Sequence, residues 1–262
     1  MIPVYHYAIT FPQLVAQAVE MRLDDEDMVR LRTGYDLAER MFDGLYRSHG
    51  SAFINHLVRT ASIVMAHGGN VPTALAAMFH AAYMLDYFIM SRRRGFRPAD
   101  RTELNNMIGP DAEEIVWEYT RLTWGKQAQV EDHLQNLDTY SPAVKSALVI
   151  RLANELEDFL DLAMLYRQNY SYGNRIAALG KPCIDMAHRL GMSGLGDELK
   201  KAFEATAAGR IPATIVRDHI DAYELPRRHY HEIDAVSRAL SGIVRRLKRR
   251  ISKLRNARIS AE

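Results

Sequence analysis

Four acids crowd one short stretch of this chain: Glu155, Glu157, Asp158 and Asp161. Carboxylates gathered this closely can exchange protons or hold a hard cation, the chemistry of acid–base catalysis and of metal sites. On a helix they also make an ordinary solvated face, and that is the reading the local pattern favours. His56 and His80 offer imidazole nitrogens, which ligate metals readily. Standing alone on helices, they read as core or surface histidines. Arg92, Arg93 and Arg94 begin a basic loop, continued by Gly95-Phe96-Arg97-Pro98, that is expected to be solvated. Gly191-Met192-Ser193-Gly194-Leu195-Gly196 has neither a preceding strand nor a Gly-Lys-Ser/Thr ending, so it is no nucleotide loop. A helix stop followed by a loop accounts for those glycines.

The elements that must position these residues are helical. Leu14, Val15, Ala18 and Val19 follow Pro12 at helical spacing, and proline is tolerated in a first turn. Asp24, Asp25, Glu26 and Asp27 then place acids where free N–H groups at a helix start need acceptors. Met28, Leu31, Tyr35, Ala38 and Phe42 continue that helix's apolar face. The spacing predicts a further helix through Phe53, Leu57, Thr60, Ala61 and Val64, stopping near Gly68-Gly69. Others follow Pro72, Gly109-Pro110 and Pro142, the last including Asn154. Gly173, Gly180 and Pro182 are expected to punctuate the chain beyond that helix. No segment reads as a strand, and there is no short-period repeat.

The chain has 262 residues, 48% of them hydrophobic, enough for one large domain with an appendage. A single cysteine, Cys183, excludes an internal disulfide framework and a multi-cysteine zinc site. There is no basic-then-apolar leader and no apolar run of membrane-spanning length. A cytoplasmic protein without a transmembrane segment is expected.

Several motifs, taken in order, carry a family resemblance. Arg47-Ser48-His49-Gly50 and Phe53-Ile54-Asn55-His56 are followed by Thr73 to His80 (TALAAMFH). Ile108-Gly109, Ile115-Val116, Tyr119-Thr120-Arg121-Leu122, Ile150 to Asn154 (IRLAN) and Ala187 to Leu199 come next in turn. This ordered set, from about Tyr35 to Phe203, resembles the hydrolase domain of RelA/SpoT-type alarmone enzymes, members of the HD superfamily. With no synthetase domain following, the layout is similar to a stand-alone alarmone hydrolase. The resemblance implies an all-α, HD-type helical bundle over 34–206. It leaves an N-terminal helical extension at 1–33, and a linker with a basic amphipathic C-terminal helix at 207–262.

In that superfamily two histidines and two aspartates hold one divalent metal. Here the resemblance places His56, His80-Ala81 and Asn154 at those positions, so both acids are missing. Met84-Leu85 stands where alarmone hydrolases carry a Glu-Asp pair that assists the water, and an aliphatic pair cannot relay a proton. Asp86 points away from the position that Ala81 occupies. The resemblance also places Arg47 where the family packs an arginine near a guanine base, and Glu157-Asp158 where it has His-Asn. The resulting expectation is a degenerate HD domain, inactive as an alarmone hydrolase and kept for binding or regulation. Its ligand would be a guanine nucleotide, another phosphorylated small molecule or a protein, met by Arg47, His56, His80 and Asn154. No cofactor is expected at full occupancy; any metal, such as manganese, would sit weakly on His56, His80 and Asn154. The alternative is a divergent metal-dependent phosphohydrolase acting on a nucleotide.

The tail carries its own signal. From Pro226 to Arg258 there are 11 Lys/Arg and 2 Asp/Glu, a charge of +9 in a chain whose total is +2. Ile233, Val236, Leu240, Ile243, Leu247, Ile251 and Leu254 recur at three- and four-residue steps, the mark of an amphipathic helix. Three roles suit it: docking on its own domain or a second copy, lying on an anionic membrane, or binding nucleic acid. A chain truncated before Pro226 is expected to fold, as read by circular dichroism, and to lose self-association or anion binding. Replacing Leu240 and Leu247 with polar residues should abolish only self-association in sedimentation. Replacing Arg245, Arg246, Arg249 and Arg250 with Gln should abolish only salt-sensitive binding to anionic vesicles or nucleic acid. Unfolding on truncation would instead make the tail part of the core.

Overall fold

Helix starts follow from local capping. Asp24 opens α2 (Asp25–Phe42), its carboxylate accepting from the Asp27 N–H at 2.9 Å, with three acids in the first turn. Asn70 caps α4 (Val71–Phe79) through the Thr73 N–H at 3.0 Å, and Ser141 caps α8 (Pro142–Phe159) through Val144. Prolines sit in the first turn of α1 (Phe11–Glu20), α4, α6 (Pro110–Arg121) and α8, where a missing N–H costs nothing. The remaining helices are α3 (Phe53–Ala66), α5 (Pro98–Ile108), α7 (Gln127–Gln135), α9 (Tyr172–Arg189) and α10 (Ser193–Ala208). Among the described residues extended structure is confined to two-residue pieces. β1 (Leu45–Tyr46) precedes α3, and β2 (Tyr87–Phe88) pairs antiparallel with β3 (Arg93–Arg94).

This computed structural model describes residues 6–47, 50–84, 87–88, 93–94, 98–166, 172–215 and 223–224. At 87–88, 93–94, 98–99, 172 and 223–224 only the backbone is described. The chain divides between Tyr223 and Glu224 into two units, and the helical bundle belongs to the first. The tail helix expected from Ile233 to Leu254 lies outside the described residues, as do Leu85, Asp86 and Arg92.

The described chain is an all-α bundle around α3, α4 and α8. α4 is buried on nearly every side, from Val71 and Thr73 through Phe79, so it is the central helix rather than an amphipathic surface one. α3 packs along α4 and α8; α6 covers α4 and α8; α9 and α10 close the far side of α8. One continuous apolar core runs from Ala8 to Phe203. α1 contributes Phe11, Leu14 and Ala18 to it, and α2 runs unbroken across positions 33 and 34. Among the described residues no helix is long and apolar enough to cross a membrane.

Two expected breaks in the chain are corrected by the structure. Gly173, Gly180 and Pro182 all lie inside α9, which continues through them. A proline there costs a hydrogen bond, but the buried Leu179, Cys183, Met186 and Ala187 anchor the helix on both sides. Gly180 is buried beside the Phe203 ring of α10, where a Cβ would make an ordinary contact at 3.5 Å. In the later glycine set only Gly191 stops a helix, at φ 77°, while Gly194 and Gly196 lie within α10.

The contact of α2 with α4 depends on another glycine. A Cβ on Gly34 would lie 2.4 Å from Cδ2 of the buried Leu75. Gly34→Val should therefore destabilise the chain by about 2 kcal/mol through overpacking, despite removing a flexible residue from a helix. Urea denaturation would measure it; a midpoint equal to or above that of the wild type would contradict this packing.

Candidate functional site

α3 and α4 form a helical hairpin, so the first turn of one lies beside the last turn of the other. His56 sits in the first turn of α3 and His80 caps the C-terminus of α4. Both are 4% exposed, and their Nε2 atoms are 3.4 Å apart. The His80 Nδ1–H donates to the Ala77 carbonyl at 2.7 Å, which leaves its Nε2 as a bare acceptor. Burial, aided by His56, Arg151 and Arg47, holds this imidazole neutral, with its pKa lowered to about 3 against the backbone bond to Ala77.

The last turn of α8 supplies acids to the other side of His56. Glu157 Oε2 lies 2.7 Å from His56 Nδ1, and the Arg47 guanidinium lies 2.8 Å from the same nitrogen. One nitrogen cannot donate to the carboxylate and accept from the guanidinium at once. The carboxylate can only accept, so the His56 Nδ1–H donates to Glu157. Arg47, just past β1, donates to Glu157 through Nη1 and to Asp158 through Nη2. Burial opposes both charges of this pair. Asp158 and Glu157 nevertheless hold Arg47 firmly protonated, and His56 and Arg47 hold Glu157 well below the usual carboxylate range.

The structure thus brings three of the four expected site residues together. Arg47 contacts His56, and His56 contacts His80. Asn154 stands on α8 one turn before Glu157, half-buried, and among the described residues it makes no hydrogen bond to either imidazole. The expected base-stacking role of Arg47 meets a different geometry: its guanidinium is held edge-on by two acids. The acids themselves depart from the expected solvated face. Glu155 and Glu157 are 1% and 7% exposed, and only Asp161 reaches solvent fully. Residues 155 and 157 are about 200° apart around a helix, so two opposite sides of α8 are polar and interior. Each side needs its own arginine. Arg175 of α9 and the Trp124 Nε1–H hold Glu155, whose pKa burial still raises against the lowering by Arg175. Asp161 pairs with Arg59 at 2.9 Å.

The residues present do not fit a four-ligand divalent metal. Two imidazole nitrogens face one point, but Ala81 offers a methyl group, Glu157 is engaged at the opposite edge of the His56 ring, and the Arg47 charge stands beside it. Among the described residues no group of three or more His, Cys, Asp or Glu is arranged to hold a metal ion. Beside His56 opens a cleft of about 260 Å³, lined by Ser51, Asn55, Arg59, Glu157 and Asp161 among others. It is smaller than the roughly 300–1,000 Å³ of pockets for drug-sized ligands, and suits one polar group rather than a whole nucleotide.

Residues 39–124, which include both histidines, match a family described as Domain of unknown function (DUF6817). No curated protein matches the chain. Among solved structures, the chain is similar to one described as "A metazoan ortholog of SpoT hydrolyzes ppGpp and plays a role in starvation responses". The two are 17% identical, the match covers 70% of this chain and 96% of the other, and the TM-score is 0.46.

The buried imidazole makes stability depend on pH. An unfolded chain protonates His80 near pH 6.5, whereas the folded chain does so only near about 3. Between those values the unfolded state holds more protons, so stability falls as pH falls. Below about pH 4.3 Glu157 adds to the same trend, because the fold keeps it ionised. The thermal midpoint should drop steadily from pH 7 to pH 4. His80→Asn, which can still donate to the Ala77 carbonyl, should flatten the part between pH 6.5 and 4.5. An equally steep profile in the variant would refute this assignment.

Proposed function

We propose that this chain is a degenerate HD-type domain that binds a phosphorylated small molecule without hydrolysing it. The ordered resemblance to alarmone hydrolases supports the ancestry. The observation that carries the reading is the Arg47–Glu157–Asp158 network at the edge of the histidine pair. A fixed guanidinium, rather than a metal ion, supplies the positive charge there, and the acids of α8 neutralise it instead of ligating a cation. Metal-assisted activation of water needs an open coordination site and a group to take the proton. Ala81 and the exposed Met84 provide neither. What remains is a buried pair of imidazoles with arginines nearby, a polar site whose arginines can donate to an anionic group.

A second reading, a divergent metal-dependent phosphohydrolase, draws on one specific feature. The two Nε2 atoms, 3.4 Å apart, could serve as adjacent ligands of one metal once both are deprotonated.

Metal analysis and turnover separate the two. The purified chain should carry manganese, zinc and iron well below one equivalent, and release no pyrophosphate from guanine alarmones with manganese present. Restoring both acids, Ala81→Asp with Asn154→Asp, should raise manganese affinity at least tenfold by calorimetry. Stoichiometric metal that is lost in His56→Ala or His80→Ala, together with metal-dependent pyrophosphate release, would overturn the non-catalytic reading.

A further inference from the structure

The short segment before α1 is both a strap across α3 and a wall of the cleft beside His56. The Ala8 N–H donates to Ser62 Oγ at 2.9 Å, and Gln17 of α1 holds the hydroxyl and the carbonyl of that serine. The Tyr7 hydroxyl donates to the Glu198 carboxylate of α10 and lies 2.9 Å from Nε2 of His67, the residue that ends α3. Ile9 comes next and lines the cleft. Ile9 and Arg59 also line a groove of about 720 Å³ along α1. Moving Ile9 therefore joins the small cleft to a larger space. His67, where the strap is fastened, stands about three helical turns from His56.

The fastening contains a group that titrates near neutral pH. The Tyr7 hydroxyl has a single proton and gives it to Glu198, so His67 donates its Nε2–H to the Tyr7 oxygen. A second proton on the ring must enter at Nδ1. That nitrogen lies against the first turn of α10, where a Cβ on Gly194 would come within 3.1 Å of it. Met192 gives α10 no side-chain cap, and the first turn carries the positive end of the helix dipole. Burial lowers the His67 pKa, and the attraction of Glu198, 3.9 Å from Nε2, offsets only part of this. The neighbouring Asp197 lies 3.8 Å from His188 of α9, and the exposed His6 adjoins Tyr7.

We infer that Tyr7, His67 and Glu198 form a proton-sensitive clasp whose release opens the cleft beside His56. With Tyr7 in place, His67 is shielded from water and resists a second proton. With Tyr7 withdrawn, it is solvated and titrates near about 6.5. The fastened state thus binds the proton less tightly than the released one. Fastening is fully favoured above about pH 6.5 and weakens as pH falls below it. Ala8 and Ile9 follow Tyr7 directly in the chain, so release carries the cleft wall with it. The clasp is independent of which ligand the cleft takes.

Hydrogen exchange and NMR on the full chain test it. From about pH 7.5 to about pH 5.5, protection of the Ala8 amide, corrected for its intrinsic exchange rate, should fall while the amides of α4 stay protected. The fall should reach about tenfold for each pH unit between 6.5 and the His67 pKa measured on its ring resonances. His67→Gln, whose amide N–H can still donate to Tyr7 but does not titrate, should keep Ala8 protected at both pH values. Tyr7→Phe should expose Ala8 at both. Relaxation of the Ser51 and Asn55 amides by a dissolved gadolinium chelate should rise with release, since both residues line the cleft. Unchanged Ala8 protection in the wild type, or a His67→Gln chain that loses protection as the wild type does, would overturn the clasp. Release of Ala8 with Ser51 and Asn55 unaffected would overturn its link to the cleft. The wild-type measurements decide the matter even where a variant fails to fold.

Discussion

The guanidinium of Arg47, held between Glu157 and Asp158 and beside His56, ties together the parts of this molecule that matter for its chemistry. It joins the segment after β1 to the end of α8, and through His56 and His80 it reaches α3 and α4. The carboxylates are almost wholly removed from water, with side-chain exposures of 7% and 14%. Breaking a pair of this kind by removing one partner typically costs about 3–5 kcal/mol, because the other charge stays buried. The pair is therefore a constraint on every neighbour: the acids, the imidazole and the arginine must change together or stay as they are.

This constraint explains how a site can keep two facing histidines without their acidic partners. Two imidazoles stay face to face at this distance because the surrounding structure fixes both rings. On His80 the Ala77 carbonyl fixes one edge, and Tyr119 packs against the ring. On His56 Glu157 fixes Nδ1, and Phe53 packs against the ring at 5.4 Å between centroids. The inner nitrogens are left facing each other with nothing of the protein between them. Opposite α8, Glu155 repeats the same solution with Arg175 and Trp124, which locks α9 to the helix that carries the site.

The N-terminal segment is bound into this frame rather than appended to it. The Ala8 N–H donates to Ser62 Oγ at 2.9 Å, and the Gln17 amide donates to the Ser62 carbonyl at 3.0 Å. The Tyr7 hydroxyl donates to Glu198 of α10 and lies 2.9 Å from His67 Nε2. These contacts tie α3, the helix that presents His56, to α1 and to the residues before it.

Helix starts were legible in the sequence because their causes are local. Asp24, Asn70, Ser141 and the first-turn prolines act within three or four residues of themselves, and no distant partner can cancel them. The two histidines were legible as a pair only through an ordered resemblance, and the hairpin of α3 and α4 is what brings their nitrogens within 3.4 Å. What the sequence misjudged were polar residues whose role depends on who faces them. Glu155 and Glu157 looked solvated, and Arg47 looked free to stack on a base. Their partners lie far along the chain: Arg47 and Glu157 are 110 residues apart. Gly180 and Pro182 looked like breaks, yet burial against α8 and α10 carries α9 through both. A capping signal is a property of one turn. The pairing of a buried charge is a property of the packed interior, where low polarity makes a partner obligatory, and only the tertiary structure decides which one.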